Sequence, residues 1–532
     1  MTNEAKTREL INLIKEDRRP MKASHINKLL AEGADINGVD GEFPLFYGVV
    51  NQNYNVVKYL IERGANVSQS NNNGVTPLNI ACAWSDTRIG KLLIKNGANI
   101  MAKASDGSTP LILATSRNNV DLVKMLLDAD AEASASASAL AAPSSALAAP
   151  SSALAAPSPS SSSITYSTLE EYNNLGETPL NIACENENRE LIELFVSLGA
   201  NLAHAMNNGD KPIHQLCQKK RRDLIAYLID EGANVNEQND LTGETSLLIA
   251  TKNCDKITTS VLLSHDANPL IPNNLGFLPI HNVAATGCMP SLLLLIEAVG
   301  SASDISKYIN TRKGDGLTPL YIACLYENVK IVRELINYGA DPNIGDINGT
   351  RPLDVLFETT GNRELYKLLL GAGADPNYIS SEDGHAPIVH AIWRGDPIIM
   401  EMIIKAGANV NRVDVDGNTP LMIACGVHGD HEPKINIIKI LLNSNVDMNI
   451  RSAGGETALE ILNRLHPDVA KELRRYKPAM VSYFLDPNHP RPMMSQIDAE
   501  SIENIRDYIG GKRKSKRRQV SKRRRQTKRS RK

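Results

Sequence analysis

The chain has 532 residues, of which 42% are hydrophobic, 22% charged and only 4% aromatic. That length exceeds what one hydrophobic core needs, so it calls for several domains or one elongated array, and the shortage of aromatics excludes a core built on large rings. The formal net charge of -2 hides an asymmetry: residues 512–532 hold fourteen Lys or Arg and no acid, leaving 44 basic against 60 acidic residues before them, the pattern of an interaction tail on an acidic body.

The N-terminus, Met1-Thr-Asn-Glu-Ala-Lys-Thr-Arg, has no apolar stretch of signal-peptide type, so no secretory signal is expected. From there a glycine, mostly followed two or three residues later by Pro-Leu or Pro-Ile, recurs at positions 41, 74, 107, 176, 209, 243, 276, 316, 349, 384, 417 and 455. Successive gaps are 33, 33, 69, 33, 34, 33, 40, 33, 35, 33 and 38. One unit reads Gly316-Leu-Thr-Pro-Leu-Tyr-Ile-Ala-Cys, then Val329-Lys-Ile-Val-Arg-Glu-Leu-Ile, and closes on Gly339-Ala-Asp-Pro-Asn. Thr ahead of the proline caps free backbone N–H groups, and proline at the first helical position has no N–H to satisfy. Ile-Ala-Cys and Ile-Val-x-x-Leu-Ile place apolar groups on one helical face, and Gly339 stands where a second helix needs a left-handed cap. One such unit cannot bury its own apolar face, so neighbours must stack.

Over residues 4–477 this pattern resembles the ankyrin repeat. The resemblance implies an all-α solenoid of about 12–13 helix-turn-helix repeats, each with a projecting finger, in which the sixth and seventh residues after the proline face a concave groove. Those slots hold Trp84, Leu325, Tyr326, Trp393 and Arg394, side chains of the types enriched in binding hot spots. Other repeats place Glu185, Asn186, Gln218, Lys219, Lys252 and Asn253 there, ordinary solvated residues. Within the resemblance, His214 and His281, each after Pro-Ile, are structural residues that bond to the turn. The Asn- and Ile-rich repeats and the Gly-Gly-Lys-Arg-Lys start of the tail are similar to ankyrin proteins of giant amoebal DNA viruses, which implies a host-directed adaptor or a virion component in host cytoplasm or nucleus.

Departures from the period locate inserts. The gap of 69 puts an Ala/Ser/Pro-rich segment of about 36 residues within 131–173, expected to be a disordered loop between a block at 1–130 and another at 174–477. The gap of 40 places an insertion near Gly300–Tyr308, and that of 38 one near Gly426–Pro433. His428 and His431 in the latter have metal-ligand spacing on a helix, but Pro433 argues against a helix there, and no metal or other cofactor is expected. Residues 478–509 read as a linker with a short helix. Residues 510–532 form a disordered basic tail in which Lys512, Arg513, Lys514, Lys522, Arg523, Arg524 and Arg525 suit an import receptor or a nucleic-acid backbone, and folding of the tail against the acidic body is a third reading.

Cys82, Cys184, Cys217, Cys324 and Cys425 each lie five residues after a repeat proline, the place of a buried core thiol. With seven cysteines and no Cys-x-x-Cys pair, a reducing compartment without structural disulfides is expected. The longest apolar stretch, Ser291–Val299, is too short for a bilayer. No phosphate-binding loop, His-Glu-x-x-His or Gly-x-Ser-x-Gly motif occurs. The sequence therefore predicts a non-enzymatic scaffold that binds an unidentified protein, with no membrane and no small-molecule substrate; a nucleic-acid-associated or virion-packaged protein acting through its tail is the alternative.

Overall fold

A computed structural model of the protein describes residues 2–16, 23–141, 166–359, 361–380, 384–427 and 431–476. The linker expected at 478–509 and the basic tail at 510–532, with Lys512 to Lys514 and Lys522 to Arg525, lie outside the described residues, as does His428. Among the described residues the 27 α-helices form thirteen pairs and leave one helix over, Ala302–Ile309. No strand is present there beyond two isolated bridges, Val39 with Glu42 and Gln238 with Thr245. The chain makes two compact units, Met1–Ala374 with ten helix pairs and Asp375–Lys532 with three.

Each pair begins in the way its residues dictate. In the pair Pro319–Leu325 and Val329–Asn337, Thr318 caps the first helix by accepting from the Tyr321 N–H at 3.2 Å. Leu320, Ala323 and Cys324 of that helix and Ile331, Val332 and Leu335 of its partner are buried, a continuous apolar stripe on both. Gly339 then closes the second helix at φ +90°, a left-handed conformation that costs a side-chain-bearing residue energy. Thr318→Ala is expected to destabilise the chain by about 1 kcal/mol while Thr318→Ser leaves it nearly unchanged, as read by chemical denaturation of both variants.

The third residue of the first helix completes the cap. Asn79 and Asn181 accept from the N–H of Thr76 and Thr178 at 2.9 and 3.1 Å. His214 and His281 do the same through Nδ1, taking the N–H of Lys211 and Leu278 at 3.1 and 3.0 Å. Their Nε2 atoms reach the next repeat, 3.0 Å from the Glu237 carbonyl oxygen and 3.1 Å from that of Thr311. Both histidines are thus structural and bond to the turn. Burial lowers the pKa of His214 and pushes that of His281 down to about 4.

Between pairs the chain projects a finger that lies on the next one. The Asn174 N–H donates to Asp106 O at 2.8 Å, Asn207 to Leu175 O at 3.0 Å, Asp240 to Gly209 O at 3.1 Å, Asn274 to Thr242 O at 3.0 Å and Gly314 to Leu275 O at 3.2 Å. Glycine at the finger bend is required twice over. Gly209 sits at φ +79°, and a Cβ there would lie 2.6 Å from Asn239 Oδ1 and 2.8 Å from the Leu241 nitrogen of the following finger. Gly209→Ala is expected to weaken this step of the ladder and to raise hydrogen exchange at the Asp240 amide before that of distant helices.

The insertions take more structure than the sequence reading gave them. The second helix of the fourth pair runs from Val120 to Ala141, through residues expected to be loop from 131 on. Alanine is the best helix former, and the first proline, Pro143, comes only after the helix ends. Asp130 within it is buried and accepts from the Ser167 hydroxyl at 2.8 Å, the Thr168 N–H at 2.9 Å and the Thr168 hydroxyl at 2.8 Å. The chain therefore returns to the helix it left, and the first unit continues past the insertion. The gap of 40 contains the helix Ala302–Ile309, whose Tyr308 and Ile309 are buried. The second gap differs from expectation too. Helix His431–Leu442 includes Pro433, because proline in a first turn displaces no intrahelical hydrogen bond.

Candidate binding surface

The two helices of a repeat are joined by a turn only a few residues long. Its central residue adopts the left-handed conformation even where it is not glycine, with φ +60° at Ser85, +55° at Asn118, +57° at Glu187, +60° at Lys220, +50° at Cys254 and +57° at Glu327. This sharp reversal ends the first helix abruptly. The two residues before it, the slots singled out in the sequence, are left at the rim with their backbone N–H groups spent inside the helix. The N–H of Trp84 goes to Ile80 O and that of Tyr326 to Ile322 O, both at 3.0 Å.

Trp84 is 46% exposed, Leu325 38% and Tyr326 41%, so three large apolar side chains in the first unit each keep more than a third of their surface open to solvent. The structure does not bring Trp84 together with the other two: it belongs to the third helix pair, and Leu325 and Tyr326 to the ninth. Trp393 and Arg394 belong to the second unit. Trp393 is less available than its position implies. It is half-buried, with its ring edge-on to His385 at 4.7 Å and His390 at 5.5 Å. Arg394 is half-buried as well.

Polar slots between these apolar ones are tied to a neighbouring repeat or, at Lys252, to their own finger rather than simply solvated. Arg117 Nε donates to Ala83 O at 2.6 Å, and Asn186 Nδ2 to Thr115 O at 3.1 Å. Lys219 pairs with Glu185 at 2.5 Å, and Lys252 with Glu244 of its own finger at 2.8 Å. Exposed pairs of this kind add little stability, but they fix the side chains of the rim in place. Deeper in, Lys211 stands where most repeats have a capping threonine. It is buried between Glu237 at 2.7 Å and Asp240 at 2.8 Å. Desolvation opposes its charge, yet hydrogen bonds to Asp240 and Glu237 outweigh this and raise its pKa.

A second exposed set went unnoticed in the sequence. Leu175, Leu241, Leu275 and Ile347 stand at finger tips of the first unit, each more than 60% exposed. The signal is readable in retrospect: each lies one or two residues before a finger glycine, close to the Asn and Asp residues that mark the fingers. The core thiols Cys82, Cys184, Cys217, Cys324 and Cys425 are buried and free, and burial raises their pKa values, to about 12 for Cys217 and Cys425. The other two cysteines correct the expectation that disulfides are absent: Cys254 and Cys288 are bonded to each other. Among the described residues, no group of three or more His, Cys, Asp or Glu is placed to hold a metal ion, and no helix is long and apolar enough to cross a membrane.

A sequence profile of ankyrin repeats, three copies long, matches residues 21–104, 69–137, 154–239, 304–380, 355–452 and 388–482, most of the chain. The chain belongs to the ankyrin-repeat family. Ankyrin repeats are in general protein–protein interaction modules without catalytic activity of their own. Among its relatives, the human transient receptor potential cation channel subfamily A member 1 is 23% identical, the match spanning 55% of this chain and 26% of that one. The mouse B-cell lymphoma 3 protein homologue is 34% identical over 36% of this chain and 41% of its own length. An ankyrin repeat protein of Acanthamoeba polyphaga mimivirus is 35% identical over 42% of this chain and 23% of its own. The matches thus span less than half the length of each of these three relatives. A solved ankyrin repeat domain from Acinetobacter baumannii is 25% identical, covers 37% of this chain and 98% of that one, and has a TM-score of 0.34.

Proposed function

We propose that this ankyrin protein is a scaffold or adaptor that binds a protein partner along the rim and groove of its first-helix row. Supporting this reading is the exposure of Leu325 and Tyr326 on adjacent slots of one repeat. Large apolar groups left partly open on a repeat surface are what a partner buries, and Tyr is among the hot-spot residue types. Trp84 extends the same row at the third repeat. Trp393 and Arg394 serve a second contact in the other unit, with the indole held edge-on by His385 and His390. The organisation proposed with it is repeats at 1–130 and 174–477, the insertion at 131–173, a linker at 478–509 and the basic tail at 510–532, in a protein of host cytoplasm, nucleus or virion.

The test is a pull-down with the full chain at moderate salt, beside the variant Leu325→Ala/Tyr326→Ala. A partner retained by the first and reduced at least tenfold with the second supports the rim as the site. Equal retention by both removes it.

A second reading rests on the fourteen basic and no acidic residues of 512–532. Lys512, Arg513, Lys514, Lys522, Arg523, Arg524 and Arg525 then carry the function by gripping a polyanion or an import receptor. Binding of that kind to nucleic acid falls steeply as salt rises, whereas an apolar rim contact persists. Deleting residues 510–532 abolishes the first and spares the second.

A further inference from the structure

Along the first unit, the turn between helices offers the same two positions to its neighbour. Asn119 Nδ2 donates to Ser85 Oγ at 2.8 Å, Asn188 Nδ2 to Asn118 Oδ1 at 2.9 Å and Arg221 Nη1 to Glu187 Oε2 at 2.7 Å. Each contact joins the left-handed residue of one repeat to the residue just past that position in the next. Cys254 and Cys288 occupy these two positions in the seventh and eighth repeats. They are 34 residues apart, as are Ser85 and Asn119 or Glu187 and Arg221, with Cα atoms 5.5 Å apart. Where other steps of the array use an amide or an ion pair, this one uses a covalent bond.

The two sulfurs differ in access and surroundings. Cys254 is exposed, at φ +50° in the turn between the two helices of its repeat. Cys288 is 3% exposed, directly precedes helix Met289–Val299, and lies 3.4 Å from the Ser291 hydroxyl, which donates to a sulfur that has no proton of its own in the disulfide. A small thiol therefore approaches from the exposed Cys254, and the buried Cys288, with a hydroxyl beside its sulfur, is the better supported leaving group. The five other cysteines are buried singly in their own repeats and have no such neighbour.

We propose that Cys254 and Cys288 form a thiol–disulfide exchange site for low-molecular-weight thiols and disulfides, which converts one inter-repeat contact between a non-covalent and a covalent state. In the oxidising direction the accessible Cys254 thiolate attacks a small disulfide, forms a mixed disulfide and expels one small thiolate. The Cys288 thiolate then attacks the Cys254 sulfur, closes the protein disulfide and expels the second small thiolate. The two cysteine protons end on those two thiolates. In the reducing direction a small thiolate attacks Cys254, Cys288 leaves, and a second thiol frees Cys254, so two small thiols become one small disulfide. Closure ties the seventh repeat to the eighth and restricts the unfolded chain, which stabilises this part of the array.

The experiment uses the full chain in glutathione buffers of graded ratio, followed by alkylation, peptide mapping and thermal melting. With oxidised glutathione, the wild type should lose two alkylatable thiols at residues 254 and 288 and melt several degrees higher than when reduced. Cys254→Ser should melt identically in both buffers. Cys288→Ser should hold one glutathione on Cys254, at least tenfold more than Cys254→Ser holds on Cys288. Full alkylation of both residues at every ratio, equal loading of the two variants, or a wild-type melt indifferent to the buffer would each overturn the proposal.

Discussion

Between pH 6.5 and pH 4 the first unit should lose about 3 kcal/mol of stability through His281 alone. Burial holds the folded imidazole neutral down to about pH 4, with the backbone bond to Thr311 only partly offsetting it. An unfolded histidine takes its proton near pH 6.5. Below that value the unfolded state binds a proton that the folded state refuses. The stabilisation is therefore complete above pH 6.5 and declines as the pH falls towards 4. His214, shifted in the same direction by the same cause, adds to the loss. The protein itself supplies the control substitution, because Asn79 and Asn181 fill the equivalent place and cap the same backbone N–H without titrating. Chemical denaturation at pH 7 and pH 4.5 should show a smaller acid penalty in His281→Asn than in the wild type. An unchanged penalty would assign the acid sensitivity elsewhere.

Tyr308→Ala should cost about 3–5 kcal/mol, the range for removing a fully enclosed aromatic ring. Tyr308 is 1% exposed, although it belongs to an insertion that breaks the repeat period. Its helix, Ala302–Ile309, packs against the preceding helix Met289–Val299 and takes the place a finger loop begins from in other repeats. Lys307, next in sequence and well exposed, should tolerate alanine within error. If Tyr308→Ala melted like the wild type, the extra helix would be a surface ornament. The measurement is a thermal or urea melt of the two variants side by side.

The helix pairs were legible because their punctuation is chemical. Thr-Pro starts a first helix, Gly-Ala ends a second, and each requirement recurs about every 33 residues, so misreading one unit does not disturb the rest. What escaped was whatever depends on a neighbouring repeat. Cys254 and Cys288 look unrelated until the stack puts the turn of one repeat against that of the next; only the separation of 34, shared with Ser85 and Asn119, hints at it. Trp393 was placed correctly on its helix, but the histidines that half-cover it lie one turn before it and before the helix proline, and their rotamers are not written in the spacing. The finger-tip leucines were missed for the opposite reason: Leu175 and Leu275 interrupt no hydrophobic period, since the finger has none. The alanines of 131–141 were read with the prolines that follow them, whereas a helix already under way needs only the absence of a breaker to continue.

The carboxylate of Asp130 has one more implication. It grips the chain at Ser167 and Thr168, 37 and 38 positions further on, so the exit of that segment is tied to the middle of the same helix, Val120–Ala141, from whose end it departs. Closing a loop of twice the length costs in general only about 0.6 kcal/mol more. The array is thus indifferent to what is spliced there. A reporter domain, an affinity handle or a photoactive protein inserted between the two anchored ends would ride on the fourth repeat as a passenger, with the register of every later repeat preserved.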